Sequence, residues 1–448
     1  MMWHISCRFS DDDDFVAPRE PGDKELSIPF RIHDGFPIYA ASIIEVFDDF
    51  GLTPSIETTD LLNAAIAAYI ADLRIPRDEN EDGWTRQLVL HIAVTDIDKW
   101  MACTETFKEL LSFLTGDEWM VSVRQLPDTS ETRKQKVTKK PTFDTDTVSL
   151  FSGGLDSFIG AIDLLEGNHP IALVGHHGRG TGSTSSSQTN ALKILQNQYG
   201  KEQTPFFKFW VAPPSRVSER SETTTRARSI VFFGLGVAVA HALGGAKLVV
   251  PENGFISLNV PLTNSRLGSF STRTTHPYLI SLWRQLLNGL GIGVNIELPY
   301  RFSTKGEMLA RCANQAVLEA GLPKTVSCSH PSVSRFTQAR DPNVQCGYCV
   351  PCLVRRAAVF FAGLDEHTVY DFDDLSLPLT PKRGLDLKVF KIALNRYESQ
   401  EPLMKDILSA GKLPGSDEEL AAYLGVYSRG IQEVRQFLEQ YRTAHEVH

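Results

Sequence analysis

Val148-Ser149-Leu150-Phe151-Ser152-Gly153-Gly154-Leu155-Asp156-Ser157-Phe158-Ile159 is an apolar run that breaks into a short Ser/Gly/Asp turn and resumes with helical spacing. The order predicts a strand, a phosphate-binding loop and a helix. A polyphosphate needs backbone amides unobstructed by Cβ atoms, small hydroxyl donors, and the positive end of a helix dipole behind them. Gly153 and Gly154 supply the first, Ser152 and Ser157 the second, and a helix beginning near Ser157 the third. The Gly-Lys-Ser/Thr string of a Walker loop occurs nowhere in the 448 residues, which removes the main support for a kinase or a GTPase.

Working outward, apolar strands and helical segments alternate: strand 148–151, helix 157–165, strand 171–176, helix 190–198, strand 206–211, helix 226–242 and strand 247–250. That alternation predicts an α/β fold with a doubly wound parallel sheet. Ligands of such sheets sit beyond the carboxyl ends of the strands, so the segments following each strand are the candidates for the site. They are the SGGLDS loop, then His176-His177-Gly178-Arg179, then Arg226-Ala227-Arg228 before a helix, then Pro251-Glu252-Asn253, and a long polar stretch containing Arg266, Arg273 and His276. Planar bidentate arginines suit a polyphosphate or a substrate carboxylate, which makes Arg226, Arg228, Arg266 and Arg273 candidates, with His276 among them. His176 reads equally as a plain strand-end residue.

Cys328 is followed, after seventeen residues, by Cys346-Gly347-Tyr348-Cys349-Val350-Pro351-Cys352. Four thiolates fill a tetrahedral zinc and leave no open position, so the predicted Cys328, Cys346, Cys349, Cys352 site is structural. An iron–sulfur cluster is the competing metal. Seven cysteines with three so closely spaced fit a reducing cytoplasm better than a disulfide framework. A net charge of −9 argues against a chain that binds nucleic acid through bulk positive charge. No apolar stretch approaches a membrane span and no signal-peptide pattern opens the chain, so the expectation is a soluble cytoplasmic protein.

The flanks carry less chemistry. Residues 1–127 read as an accessory α/β domain; Asp11 to Asp14 read as a solvated loop, and Trp84, Trp100 and Trp119 as core or interface anchors. Residues 128–147, with Arg133, Lys134, Lys136, Lys139 and Lys140, read as a linker. A catalytic domain is expected over 148–363 and a helical extension over 364–448. Residues 420–436 have the look of a DNA-binding helix-turn-helix, but without clustered basic residues a packing appendage is preferred.

SGGLDS resembles the SGGxDS loop of the ATP-pyrophosphatase (PP-loop) superfamily, an adenine nucleotide alpha hydrolase-like fold that cleaves ATP between its α and β phosphates. Together with the late cysteine cluster and Arg355-Arg356, with Ala227-Arg228-Ser229 before an apolar helix, and with a strand ending at Asn253, it resembles the QueC family of 7-cyano-7-deazaguanine synthases over about 148–363. The resemblance implies ATP and magnesium as cofactors beside zinc, and a 7-carboxy-7-deazaguanine-like carboxylate that is adenylated and passed to an amine. It implies catalytic roles for Ser152, Asp156, Ser157 and Arg228, and nucleotide binding by Ser152, Gly153, Gly154, Leu155, Asp156, Ser157, His176 and Asn253.

The chain departs from the family pattern in its length, in Ser229 where Asn is favoured, in the stretch after Asn253 and in the spacing to Cys328. Its layout, with ENGFISLN and STRTTHP, resembles the QueC-like protein of the Qat anti-phage system, which implies companion defence proteins and opens an amino group of a partner protein as the acceptor. An inactive PP-loop scaffold of a defence complex is the alternative.

Overall fold

The computed structural model describes residues 1–448 apart from 10–12, 31, 34–35, 38–41, 81, 128–142, 179–182, 212–221, 223–225, 264–272, 331–332, 334–340, 366, 377–379, 381–382, 399–400 and 444–448. The basic run of the expected linker and Asp11 and Asp12 lie outside the described residues.

The first unit comprises β1 (Met2–Arg8), β2 (Lys24–Pro29), a short antiparallel pair β3 (Ile32–His33) and β4 (Phe36–Pro37), α1 (Ser42–Asp49), α2 (Ile56–Arg74), β5 (Gln87–Val94), α3 (Ile97–Thr115) and β6 (Glu118–Gln125). β2, β1, β5 and β6 pair in that order, all parallel. α2 is buried on nearly every side, because its Ala-rich surface is sandwiched between its own sheet and a helix of the next unit. Asp13 is buried and its carboxylate accepts from Arg124 at 2.6 Å, which corrects the solvated-loop reading at that position: the arginine repays the desolvation. Trp100 and Trp119 are core, each 1% exposed.

The second unit runs β7 (Thr147–Leu150), α4 (Leu155–Glu166), β8 (Ala172–His177), α5 (Ser183–Tyr199), β9 (Phe206–Trp210), α6 (Arg228–Ala242), β10 (Lys247–Val249), α7 (Gly254–Ser257), α8 (Pro277–Gly289), β11 (Ile296–Glu297), α9 (Lys305–Arg311), α10 (Gln315–Gly321) and α11 (Val350–Phe361). The sheet order is β11-β10-β7-β8-β9, all parallel, with β7 at its centre. This is the doubly wound arrangement expected from the alternation. Val148 and Leu150 face α6 and a core shared with the first unit, whereas Phe151 and Leu173 face α4 and α5 in a second core.

α12 (Leu385–Arg396), α13 (Met404–Leu408) and α14 (Asp417–Thr443) complete the chain. α14 is one uninterrupted helix through Gly425, so no helix-turn-helix exists at 420–436. Its apolar stripe Tyr423, Val426, Tyr427, Ile431, Val434 packs on Phe255 of α7 and Leu353 of α11, which accounts for the amphipathic pattern. Among the described residues no helix is long and apolar enough to cross a membrane.

Candidate active site and metal centre

β7 ends against β8, with the Phe151 amide donating to Val174 O at 2.7 Å, and the chain then turns sharply. Gly153 has φ +81°, and a Cβ there would stand 2.7 Å from both the Gln188 amide nitrogen and Ser187 Oγ, so only glycine fits. Gly154 starts α4 with no side-chain cap, which leaves first-turn amides for a ligand rather than for the protein. Ser152 Oγ lies 3.2 Å from Ser157 Oγ, and the Ser157 hydroxyl donates to Gly154 O at 2.9 Å. Ser152, Gly154, Leu155, Asp156 and Ser157 line one cavity of about 300 Å³.

The same cavity is lined by Glu252, Thr274, Thr275, Lys305 and Cys328. Asp156 is 5% exposed; its Oδ1 pairs with the Lys305 ammonium, and its Oδ2 accepts from Asn253 Nδ2 at 2.6 Å and from the Asn253 amide at 3.2 Å. Burial alone would raise the Asp156 carboxyl, but Lys305, with hydrogen bonds from Glu252 and Asn253, holds it below its ordinary value. Glu252 goes the other way: burial first, then the neighbouring Asp156 charge, pushes it well above the carboxylate range. The wall therefore sets two neighbouring carboxyls whose proton affinities are pushed apart, with Lys305 beside the lower one.

Lys305 was not singled out from the sequence, and Glu252 was named only within the Pro251-Glu252-Asn253 stretch, without a role. The only local sign of Lys305 is its position inside Thr304-Lys305-Gly306-Glu307, a capping box that opens α9. Asn253 does reach the site, yet not the cavity: fully buried, it donates to Asp156 and its Oδ1 accepts from the Ile256 amide at 2.9 Å, capping α7. These bonds orient the Asp156 carboxylate.

The other sequence candidates divide. Arg228, at the start of α6, donates to His176 O at 3.2 Å, beside the strand ends. His176 is 2% exposed, edge-on to Tyr69 of α2, and pushed down to about 3 by burial and then by Arg228; it is not among the cavity-lining residues. Arg226 is buried in the interface with the first unit, where its NH1 donates to Thr115 O at 3.1 Å and its guanidinium lies 4.4 Å over the Trp84 ring. Arg273 donates to Phe113 O at 3.1 Å, and His276, fully buried, caps α8 by accepting from the Tyr278 amide at 3.2 Å. These three make interface and capping contacts and are not among the residues lining the cavity, whereas the intervening Thr274 and Thr275 are. Arg266 and Arg179 lie outside the described residues.

Three of the four expected cysteines, Cys328, Cys346 and Cys349, come together with His330. Cys328 Sγ is 3.9 Å from Cys349 Sγ, and Cys346 Sγ is 3.8 Å from Cys352 Sγ. Tetrahedral ligands at the usual zinc–sulfur distance of about 2.3 Å would be about 3.8 Å apart. The donor set therefore fits a metal ion. His330 Nδ1 lies 3.8 Å from Cys346 Sγ, and the four donors that lie within 4.8 Å of one another are Cys328, His330, Cys346 and Cys349, whereas Cys352 reaches the group through Cys346. The cluster abuts the cavity, since Cys328 lines it and the Val326 amide donates to Gly153 O at 3.0 Å.

Fold and site together define an α/β protein with a parallel sheet, consistent with the PP-loop fold, whose Ser/Gly loop lines a cavity beside a Cys/His cluster with the donor chemistry of a metal site. Half of the chain is similar to 7-cyano-7-deazaguanine synthase of Methanothermobacter thermautotrophicus: 23% identity over 244 residues, spanning 50% of this chain and 98% of the relative. About half of the present chain thus has no counterpart in that enzyme. No family model matches the chain.

Proposed function

We propose that the protein is an ATP-dependent ligase that adenylates the carboxylate of a deazapurine acid, of the 7-carboxy-7-deazaguanine type, and passes the acyl group to an amine. The observation that carries this reading is the convergence of the uncapped α4 start, the Ser152–Ser157 hydroxyls and the Lys305–Asp156 pair on one cavity. The similarity to a synthase of a deazaguanine nitrile supplies the substrate class.

In the first step a carboxylate oxygen attacks the α-phosphorus, the bond to the β-phosphate oxygen breaks and pyrophosphate leaves. Amides of the α4 first turn, the serine hydroxyls and Lys305 donate to the oxygens on which charge grows. In the second step an amine attacks the acyl carbon, AMP leaves, and the amine loses a proton. Arg228 belongs to the nucleotide side by its place at the strand ends. The magnesium ion that the resemblance implies finds no free carboxylate pair among the described residues here, since Asp156 is taken up by Lys305 and Asn253 and burial favours the protonated form of Glu252. The cysteine centre would hold zinc in a structural role, since its donors leave no open position.

A second cavity, of about 420 Å³, adjoins the first across Ile256 and Pro351 and is lined by Phe255, Val260, Tyr348, Leu385 and Phe390 among others. It offers apolar room for a planar acid or its acceptor. The large part of the chain without counterpart in the relative supports an acceptor bigger than ammonia, such as an amino group of a companion protein in a defence system. Mixing the protein with ATP, magnesium and 7-carboxy-7-deazaguanine is expected to release pyrophosphate and AMP. Release of neither, with companion proteins present, refutes the ligase and leaves a nucleotide-binding scaffold.

A further inference from the structure

Lys305 is the first residue of α9, so the position of its ammonium follows the position of that helix's first turn. Two residues one turn apart on α14 hold this turn. The Thr304 hydroxyl donates to Glu433 Oε1, and the Gly306 amide donates to Glu433 Oε2 at 3.3 Å. Arg429 Nε donates to Glu307 Oε1 at 2.7 Å, while Glu307 Oε2 accepts from the Thr304 amide at 2.9 Å. Glu433 is 5% exposed. A Cβ at Gly306 would stand 2.7 Å from Glu433 Oε1, so the glycine keeps open the space that the carboxylate fills.

We propose that Glu433 is a positioning residue for Lys305: the buried carboxylate fixes the start of α9 from behind, and thereby sets the Lys305–Asp156 pair at the cavity wall. Glu433 is not among the cavity-lining residues, so its influence passes through the backbone of residues 304–306. Removing it strands a buried amide and a buried hydroxyl, and the turn must shift to find other partners. The terminal helix is in this way a working part of the site. α14 is itself held to the core by Phe255, whose ring centroid lies 5.7 Å from that of Tyr427. The consequence for turnover rests on the ATP reading proposed above, whereas the placement of Lys305 does not.

The test uses the full-length protein and its E433A, E433Q, K305A and E433A/K305A variants. Acylation of Lys305 by an amine-reactive ester, followed by peptide mass spectrometry, reports the pair directly. Labelling of Lys305 is expected to rise severalfold in E433A, and less in E433Q, while labelling of exposed Lys324 stays unchanged. Pyrophosphate release is expected to fall about 10- to 100-fold in E433A, the scale of a misplaced binding group. Adding E433A to K305A is expected to cost little more, because both changes remove one contribution. Unchanged Lys305 labelling in E433A, or losses that multiply in the double variant, overturns the proposal. If E433A does not fold, E433Q decides by the same labelling. Should Lys305 respond while the wild type releases no pyrophosphate, the ligase reading fails and the positioning role stands.

Discussion

Asp156 and Lys305 are each 5% exposed and paired, so neither charge is tolerated without the other. Replacing Asp156 by Asn leaves a buried cation short of its counter-charge, at a cost of about 3–5 kcal/mol. Urea denaturation is expected to show that loss along with the disappearance of pyrophosphate release; an unchanged midpoint would mean that the pair contributes nothing to the fold. His276 presents the opposite case. As a helix cap facing Phe113 it should cost about 1 kcal/mol when replaced by Ala, with the Kd for ATP unaltered in a binding titration. A tenfold weaker Kd would return it to the substrate side. The glycines and serines of the loop were readable in the sequence because their job is local, set by φ and by size. Lys305 was not, because its partner Asp156, and Glu433 that holds the turn on either side of it, come from distant stretches that only the fold brings together.

Among the elements, α6 shows how the first unit serves the second. Its cap residue is Ala227, which has no side-chain acceptor, and Asp72 of α2 anchors the backbone leading into the helix: Oδ2 accepts from the Arg226 and Ala227 amides at 2.7 and 2.8 Å. Arg86 donates to the other oxygen at 2.7 Å and Arg77 completes the group at 3.5 Å, with Asp117 bridging both arginines. Asp72→Ala is therefore expected to cost about 3–5 kcal/mol, as a buried network losing one member does, and to weaken ATP binding through Arg228; calorimetry of both measures it. The cysteine centre acts on the loop in a similar way. Because the Val326 amide holds Gly153 O, stripping the metal with a chelator is expected to release about one zinc per chain by elemental analysis and to weaken ATP affinity. Retention of full affinity after complete metal loss would separate the two sites. The alternation of strands and helices was legible from period and composition, to within a few residues at most ends. Strand β11, two residues long, carries too little sequence to show a period.

Over the whole molecule, buried titratable groups oppose one another. Burial pushes His91 down to about 4 and His276 down to about 3, so the stability tied to these neutral rings is lost as pH falls through the ordinary histidine value. Burial pushes Asp60 and Glu433 up to about 7; their folded forms keep protons that the unfolded chain has released, so stability is lost as pH rises from about 4.5 to 7. E433Q removes one such contribution. Its stability relative to the wild type is expected to climb across that window by at most about 1.4 kcal/mol per pH unit, read by urea denaturation at several pH values. Parallel slopes would show that Glu433 ionises normally.

The sequence alone determined the strand, loop and helix around SGGLDS, the parallel α/β class and the cysteine cluster, because each depends on residues close together in the chain. Tertiary structure decided that the two sheets share one core through α2 and α6, that Arg226, Arg273 and His276 turn toward the first unit, and that α14 reaches back to the start of α9. Those outcomes depend on which apolar faces cover one another, and burying them carries distant polar groups into contact. A buried carboxylate such as Asp72 or Glu433 must then find donors wherever the packing provides them, and here it finds them at the starts of helices that form the SGGLDS site.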